Sequence, residues 1–545
     1  MTSVGLWTIG LAVIYTLALV VGNRIINNPT RNANKVGSFF VGGRTFKPWV
    51  IAAAITGLFS GSSYIAILEL SYRTGVSAVW YGVAETVQVL LIAIFLVKPM
   101  RQRALITVTG MIGERFGRVA QISSGAITAI TFPMYSVATT IAFASALHAF
   151  TGLDLGVSVA VTALLLLVFL TSGGMRSLAF NQIANVIMFA LMTIVGIWAI
   201  AVAASNNPLA ELLQEQAELL TLGNAGTQLI IAWFATFIIN VPLAQAAFQL
   251  TMSARSAEDG QKGLYQAAAV GIPLILLGVV IGTLAAVLSP AEGLPLVNIA
   301  HFMQETLPPW AVGVFFVGVW AAALGWAGPC QFSGASSLGR DVIGALKKGA
   351  SEADLVRYTR YSLIGLTALM VLFGLARMEQ SAWWNILAWT LRNGATFAPV
   401  LAVFFWPLAT RTAAVAAVLT GFSAGLGWYA AAGFSATEFF LGIHPVWIGM
   451  SANLLALVTV TLVQAPWQLS TNAGRTRVGR FFASLSVVLL AVAIFAAEQL
   501  HAIGAFGLVG LLVILTAFIS IAFHTQHASP GSAEKTPDPV LEGQV

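Results

Sequence analysis

Residues 52–70 read AAAITGLFSGSSYIAILEL. The stretch is apolar enough to sit in lipid, yet Gly57, Ser60, Gly61, Ser62 and Ser63 crowd its middle and Glu69 closes it. In a bilayer core no water replaces a lost backbone hydrogen bond, so irregular backbone survives only inside protein or beside a wet cavity. Glycines weaken a helix, and serine hydroxyls compete for backbone partners. Two readings follow. Either small residues let helices pack closely, or the helix is interrupted to free carbonyls and amides for a solute.

The rest of the chain sets that stretch in a membrane. Of 545 residues, 58% are hydrophobic and 8% charged, and the mean hydropathy is +0.87. Such a composition excludes an ordinary water-soluble domain. About fifteen apolar runs of spanning length recur between residues 4 and 523, which predicts an all-α polytopic membrane protein. No Lys or Arg precedes the first run, so it reads as a retained span and not as a cleavable signal. Across the alternating loops, 23 of the 26 Lys and Arg fall on one side. The opposite side keeps Arg73 and Arg377, and Arg392 lies within a span. The positive-inside rule then predicts an inner (plasma) membrane protein with its N-terminus outside and its C-terminus cytoplasmic. The formal charge of +6 is spread over these loops and not gathered into a stripe, which argues against nucleic acid as a partner. The partners expected are the lipid bilayer and a small solute.

A second interruption falls in 227–250, TQLIIAWFATFIINVPLAQAAFQL, where Asn240 and Pro242 sit inside an apolar run. Proline removes an intrahelical donor. Counting runs, the first interruption is in the second span and this one in the seventh, five apart. Spans two to six and seven to eleven then read as two five-helix repeats of opposite orientation, each opened by an interrupted helix. Such paired interruptions point to a transporter binding site near the midplane. The chain divides into an N-terminal helix and loop (1–48), a first repeat (49–205), a second repeat with its leading loop (206–407), four further helices (408–523) and a disordered tail (524–545).

Several stretches resemble the sodium:solute symporter family. They are FFVGGRTFKPW at 39–49, ITVTGMIGERFG at 106–117, TSGGMRSLAFNQIAN at 171–185, FQLTMSARS at 248–256 and GIHPVWIGMSANLLALVTV at 442–460, in the family's order. The resemblance implies a leucine-transporter-like fold of inverted repeats. It also implies a coupling sodium held by backbone carbonyls near Thr56 and Phe59, with Ala322 opposite. The family's paired hydroxyl ligands fall on Gly325 and Trp326, or with a one-residue slip on Trp326 and Ala327, counted back from Asp341, and an Asp that some members tie to a second sodium falls on Gln182. Sodium takes hard oxygen ligands, and the side chains of glycine and tryptophan supply none. The resemblance therefore allows sodium but leaves it without side-chain ligands, and Trp326 is expected to fill the site. No other cofactor is expected.

Glu69, Glu85 and Arg392 are the ionisable residues inside the spans, and such residues are functional candidates by default. All three fall in the outer half, where Arg392 is expected to pair with either carboxylate. The readings open are a proton-titrating carboxylate, an Arg that holds an anionic solute, and a structural ion pair. GFSAG at 421–425 matches the G-x-S-x-G pattern of hydrolases, but inside an apolar span it reads as helix packing. The single Cys330 excludes an intramolecular disulfide, and the six His show no metal spacing. The expected protein is a transporter of a small organic solute, not an enzyme. Its solute site is expected at Phe59, Ser60, Gly61, Ser62 and Ser63, faced by Asn240 and Trp326. The other class considered is a transporter-like sensor that binds a solute and signals through a partner.

Overall fold

A computed structural model describes residues 2–26, 36–102, 106–170, 174–291, 293–347, 349–376, 381–435 and 438–528. Long helices dominate, because in lipid each backbone donor and acceptor must be satisfied within its own segment. They are α1 (Ser3–Ile26), α2 (Pro48–Thr74), α3 (Val79–Leu91, continuing through a π-helical turn to Gln102), α4 (Arg118–Thr151), α5 (Leu155–Leu170) and α6 (Gly174–Asn206). Then come α7 (Thr227–Asn240), α8 (Ala257–Leu288), α9 (Pro309–Ser336), α10 (Glu352–Ala376) and α11 (Ser381–Phe405). The last four are α12 (Arg411–Ala431), α13 (Pro445–Gln464), α14 (Ala473–Phe495) and α15 (Phe506–His524). Among the described residues, 12 stretches are long and apolar enough to span, one of them running from Pro48 to Gln102 across the turn between α2 and α3. A further bent pair and a shorter apolar helix add to these, so length and composition alone do not fix the expected fifteen.

The two interruptions read from the sequence turn out differently. At Asn240 the expected break is present: α7 ends, Val241–Leu243 form a 3-10 turn, and a short helix Gln245–Thr251 departs at 51°. Pro242 cannot donate to the preceding turn, and Ala244 leaves helical geometry at φ −73°, ψ 62°. In α2 the expected break is absent, and the helix runs from Pro48 to Thr74 through Gly57 and Ser63. Burial explains why it holds. Ile51, Ala54, Ile55, Leu58 and Ile67 are almost wholly covered, and surrounding helices leave the weak positions no water to fray into.

Packing relates the two halves by an exchange. α2 lies along α8 while α3 lies along α7, and α4 crosses α9. α4 also packs on α11, as α9 packs on α6. Swapping α2–α6 with α7–α11 reproduces this set of neighbours, as a pseudo-two-fold axis through the α4–α9 crossing requires. α12 and α13 join α11 through glycines. A Cβ on Gly421 would lie 1.9 Å from the Gly394 carbonyl oxygen, so GFSAG serves close backbone approach.

α14 and α15 pack mainly on each other, and α14 exposes Phe481, Val487 and Phe495. The tail does not begin at 524 as expected, because Thr525–His527 pair antiparallel with Trp467–Leu469 and Thr525 accepts a hydrogen bond from Trp406 Nε1. Residues from 529 onward lie outside the description.

Candidate functional site

α2 lies between α8 and α9, and its Thr56, Ser63 and Ser71 are buried. Thr56, Phe59 and Ser63 are buried and line a cavity of about 30 Å³ closed by Glu85 of α3 and Ala267 and Gly271 of α8. Organic-solute sites run to about 300 Å³ or more. This cavity suits water or a small ion unless its walls move. Glu85 is 4% exposed and accepts a hydrogen bond from the Ser63 hydroxyl. The side chains of Ser60 and Ser62, and the surroundings of Gly61 between them, all expected in the solute site, lie outside the description.

At Gln182, where the resemblance placed an Asp tied in some members to a second sodium, a carboxamide reaches toward α9. Gln182 of α6 donates from Nε2 to the Gly325 carbonyl at 2.7 Å, and its Oε1 accepts from Asn185 at 2.9 Å. Asn185 in turn accepts from Tyr15 of α1 at 2.5 Å. Gly57 and Gly325 meet across this amide. A Cβ on Gly57 would lie 2.0 Å from Gln182 Oε1, and one on Gly325 would lie 2.3 Å from the Gly57 carbonyl oxygen. Ala322, one turn earlier on α9, is fully buried. With α2 unbroken, the carbonyls near Thr56 and Phe59 belong to helix hydrogen bonding and are not bare ligands. Trp326 does not fill the sodium position as expected. It turns to α4, donating from Nε1 to the Tyr135 carbonyl at 2.9 Å and setting its ring edge-on to Tyr135. The amide's donor joins α6 to α9, while its oxygen accepts within α6 and packs against Gly57 of α2.

The expected pairing of Arg392 with a carboxylate is not found. Glu69 instead lies 3.8 Å from Arg73, one turn on. Arg392, 5% exposed on α11, donates to Asn240 Oδ1 at the broken end of α7, and more weakly to Asn393 Oδ1 at 3.4 Å. Its guanidinium sits over the faces of Tyr135 and Phe132, 5.0 and 5.6 Å from the ring centres. The structure thus brings Asn240, Arg392 and Trp326 around one residue, Tyr135, while Glu85 and Ser63 form a separate cluster on α2 and α3.

A polar lock at one end of α9 escaped sequence reading. Asp341, fully buried, accepts from Thr107 and Thr109 hydroxyls at 2.6 Å each and from Arg340 at 3.0 Å. Gln245, the first residue beyond the break in α7, donates to Ser337 and to the Ser333 carbonyl and accepts from the Val108 amide. The lock ties the α7 break to α9 and to the loop before Val108. Its only sequence signal was the persistence of Gln, Ser and Asp in apolar surroundings.

The sequence matches the model of a family described as SSF: Sodium:solute symporter family, over residues 39–421. The chain is similar to the high affinity choline transporter 1 of Homo sapiens, at 24% identity over 387 residues, 65% of each chain. The match therefore spans just under two thirds of that relative's length. Among solved structures, the chain is similar to a substrate-bound, outward-open Na+-coupled sialic acid symporter, with a TM-score of 0.71 and 15% identity, covering 84% of this chain and 98% of that one. At that identity the likeness speaks for the fold, which is the leucine-transporter-like one that the family resemblance implied. Family and fold are those of transporters and not of enzymes.

Proposed function

The chain belongs to the sodium:solute symporter family, and we propose on that premise that it is a secondary transporter moving a small organic solute by alternating access. The observation that carries this reading is the 51° break after Asn240, which sits in the protein interior and not against lipid, with Arg392 held at its edge. Interior backbone of this kind is tolerated where it lines a solute path. The solute site lies at the α7 break, where Asn240 and Trp326 gather with Arg392 about Tyr135, while Phe59 and Ser63 of α2 line the separate cavity at Glu85. The loop charges support a plasma-membrane location with the N-terminus outside and the C-terminus in the cytoplasm.

Coupling through sodium at the inherited position is not expected, because Gly325 and Trp326 offer no side-chain oxygen and the Gln182 amide, bonded to the Gly325 carbonyl, packs against Gly57 there. Glu85 is the group suited to carry a proton instead, being buried beside a small cavity with the Ser63 hydroxyl against it. Uptake into proteoliposomes under separately imposed sodium and proton gradients tests both claims. A proton gradient is expected to drive accumulation, a sodium gradient is not, and Glu85→Gln is expected to flatten the pH dependence. Sodium-driven uptake would overturn the coupling, and binding without any uptake would favour the sensor.

A further inference from the structure

Arg392 is a buried permanent charge in the heart of the second repeat, and its surroundings are one-sided. None of α4, α7, α11, α12, α13 and α15 contains an Asp or Glu. Of the elements packed on α11, only the short helix Val108–Phe116 has one, Glu114, and it is exposed. Among the described residues no carboxylate lies within ion-pair distance of Arg392. An uncompensated buried cation is costly, and neutral amide oxygens and aromatic faces offset only part of that cost.

The neighbouring polar groups lean the same way. Asn393 turns its carbonyl to Arg392 and leaves Nδ2 buried without an acceptor among the described residues. The Tyr135 hydroxyl, on the ring beneath the guanidinium, is also buried without a partner. A guanidinium and two unused donors call for an acceptor carrying negative charge, and a carboxylate fits their planar geometry. Around them stand Phe132, Trp326 and, on α11 one turn away, Trp389 against Phe237. These walls suit an apolar body behind the charge.

We propose that Arg392, with Tyr135 and Asn393, binds the carboxylate of the transported solute, so that the substrate class is a small organic carboxylate. This rests on the transporter reading above and names what is moved. It also separates this chain from a carrier of cationic solutes such as choline, which a buried guanidinium repels in a low-dielectric site.

The test uses the full-length protein in proteoliposomes, with propionate, pyruvate and benzoate as carboxylate probes, choline as cation and glucose as neutral control. Direct binding and uptake are measured separately. At least one carboxylate is expected to bind, with choline and glucose inert. Arg392→Gln is expected to weaken that binding about tenfold or more, and Arg392→Lys to restore part of it. Tyr135→Phe, which removes one oxygen from a folded site, is expected to weaken it about threefold to tenfold. Equal carboxylate affinity in wild type, Arg392→Gln and Tyr135→Phe would overturn the proposal, as would no carboxylate binding or preference for choline. Arg392-dependent carboxylate binding without accumulation would uphold the site and sink the carrier. Uptake of glucose or choline insensitive to Arg392 would do the reverse.

Discussion

α2 and α7 open the two repeats and face the same difficulty, a helix weakened in the middle of a membrane, and they resolve it in opposite ways. In α2 the weak residues become contact surface. Gly57 lets α9 approach to backbone distance at Gly325, and Ser63 directs its hydroxyl to Glu85. In α7 a proline removes the donor outright, and the chain bends. Glycine and serine only lower helix propensity, by about 1 kcal/mol or less per residue, which tertiary burial outweighs. Proline costs about 3 kcal/mol in a helix interior, yet α4, α8, α9 and α11 run on through Pro133, Pro273, Pro329 and Pro399, so the bend at Pro242 also depends on its surroundings.

The contrast can be broken most strongly at its tightest point. Gly325→Val places a branched side chain against the Gly57 carbonyl, which belongs to a rigid helix. We expect destabilisation at the upper end of about 1–3 kcal/mol, read as a fall in the thermal midpoint in detergent. Wild-type stability would show that α2 and α9 do not meet there. Gln182→Leu keeps the volume but strips the Gly325 carbonyl and the Asn185 amide of a partner. Its expected cost is about 2 kcal/mol in the same measurement.

Pro242→Ala sharpens the other side. Its stability should stay within about 0.5–1 kcal/mol of wild type, while uptake falls, since only the function needs the bend. Full uptake in that variant would mean that the break is incidental. The smallest expected effect is that of Gln182→Asp on sodium dependence. Returning the family's carboxylate should leave uptake indifferent to sodium, because Gly325 and Trp326 still provide no side-chain oxygen.

These differences mark what was legible beforehand. The helical class and the α7 break followed from apolar run length and from a proline, both of which act locally. The continuity of α2 did not, because whether a Gly–Ser segment breaks depends on what covers it. Arg392 stood out as an ionisable residue in a span, but its partner was misjudged. Depth along a helix was known, while the direction each side chain faces depends on how the helices rotate against each other. Gln182 was singled out by position, yet its role as a bridge needed the distance from α6 to both glycines.

From sequence alone came the membrane, the number of polar intrusions into it and their order along the chain, since hydropathy and backbone chemistry are read residue by residue. Only the tertiary structure decided which intrusions meet. It joined Gln182 to Gly325 across 143 positions and Arg392 to Asn240 across 152. Such long-range contacts are set by the packing of whole helices, which no local pattern encodes.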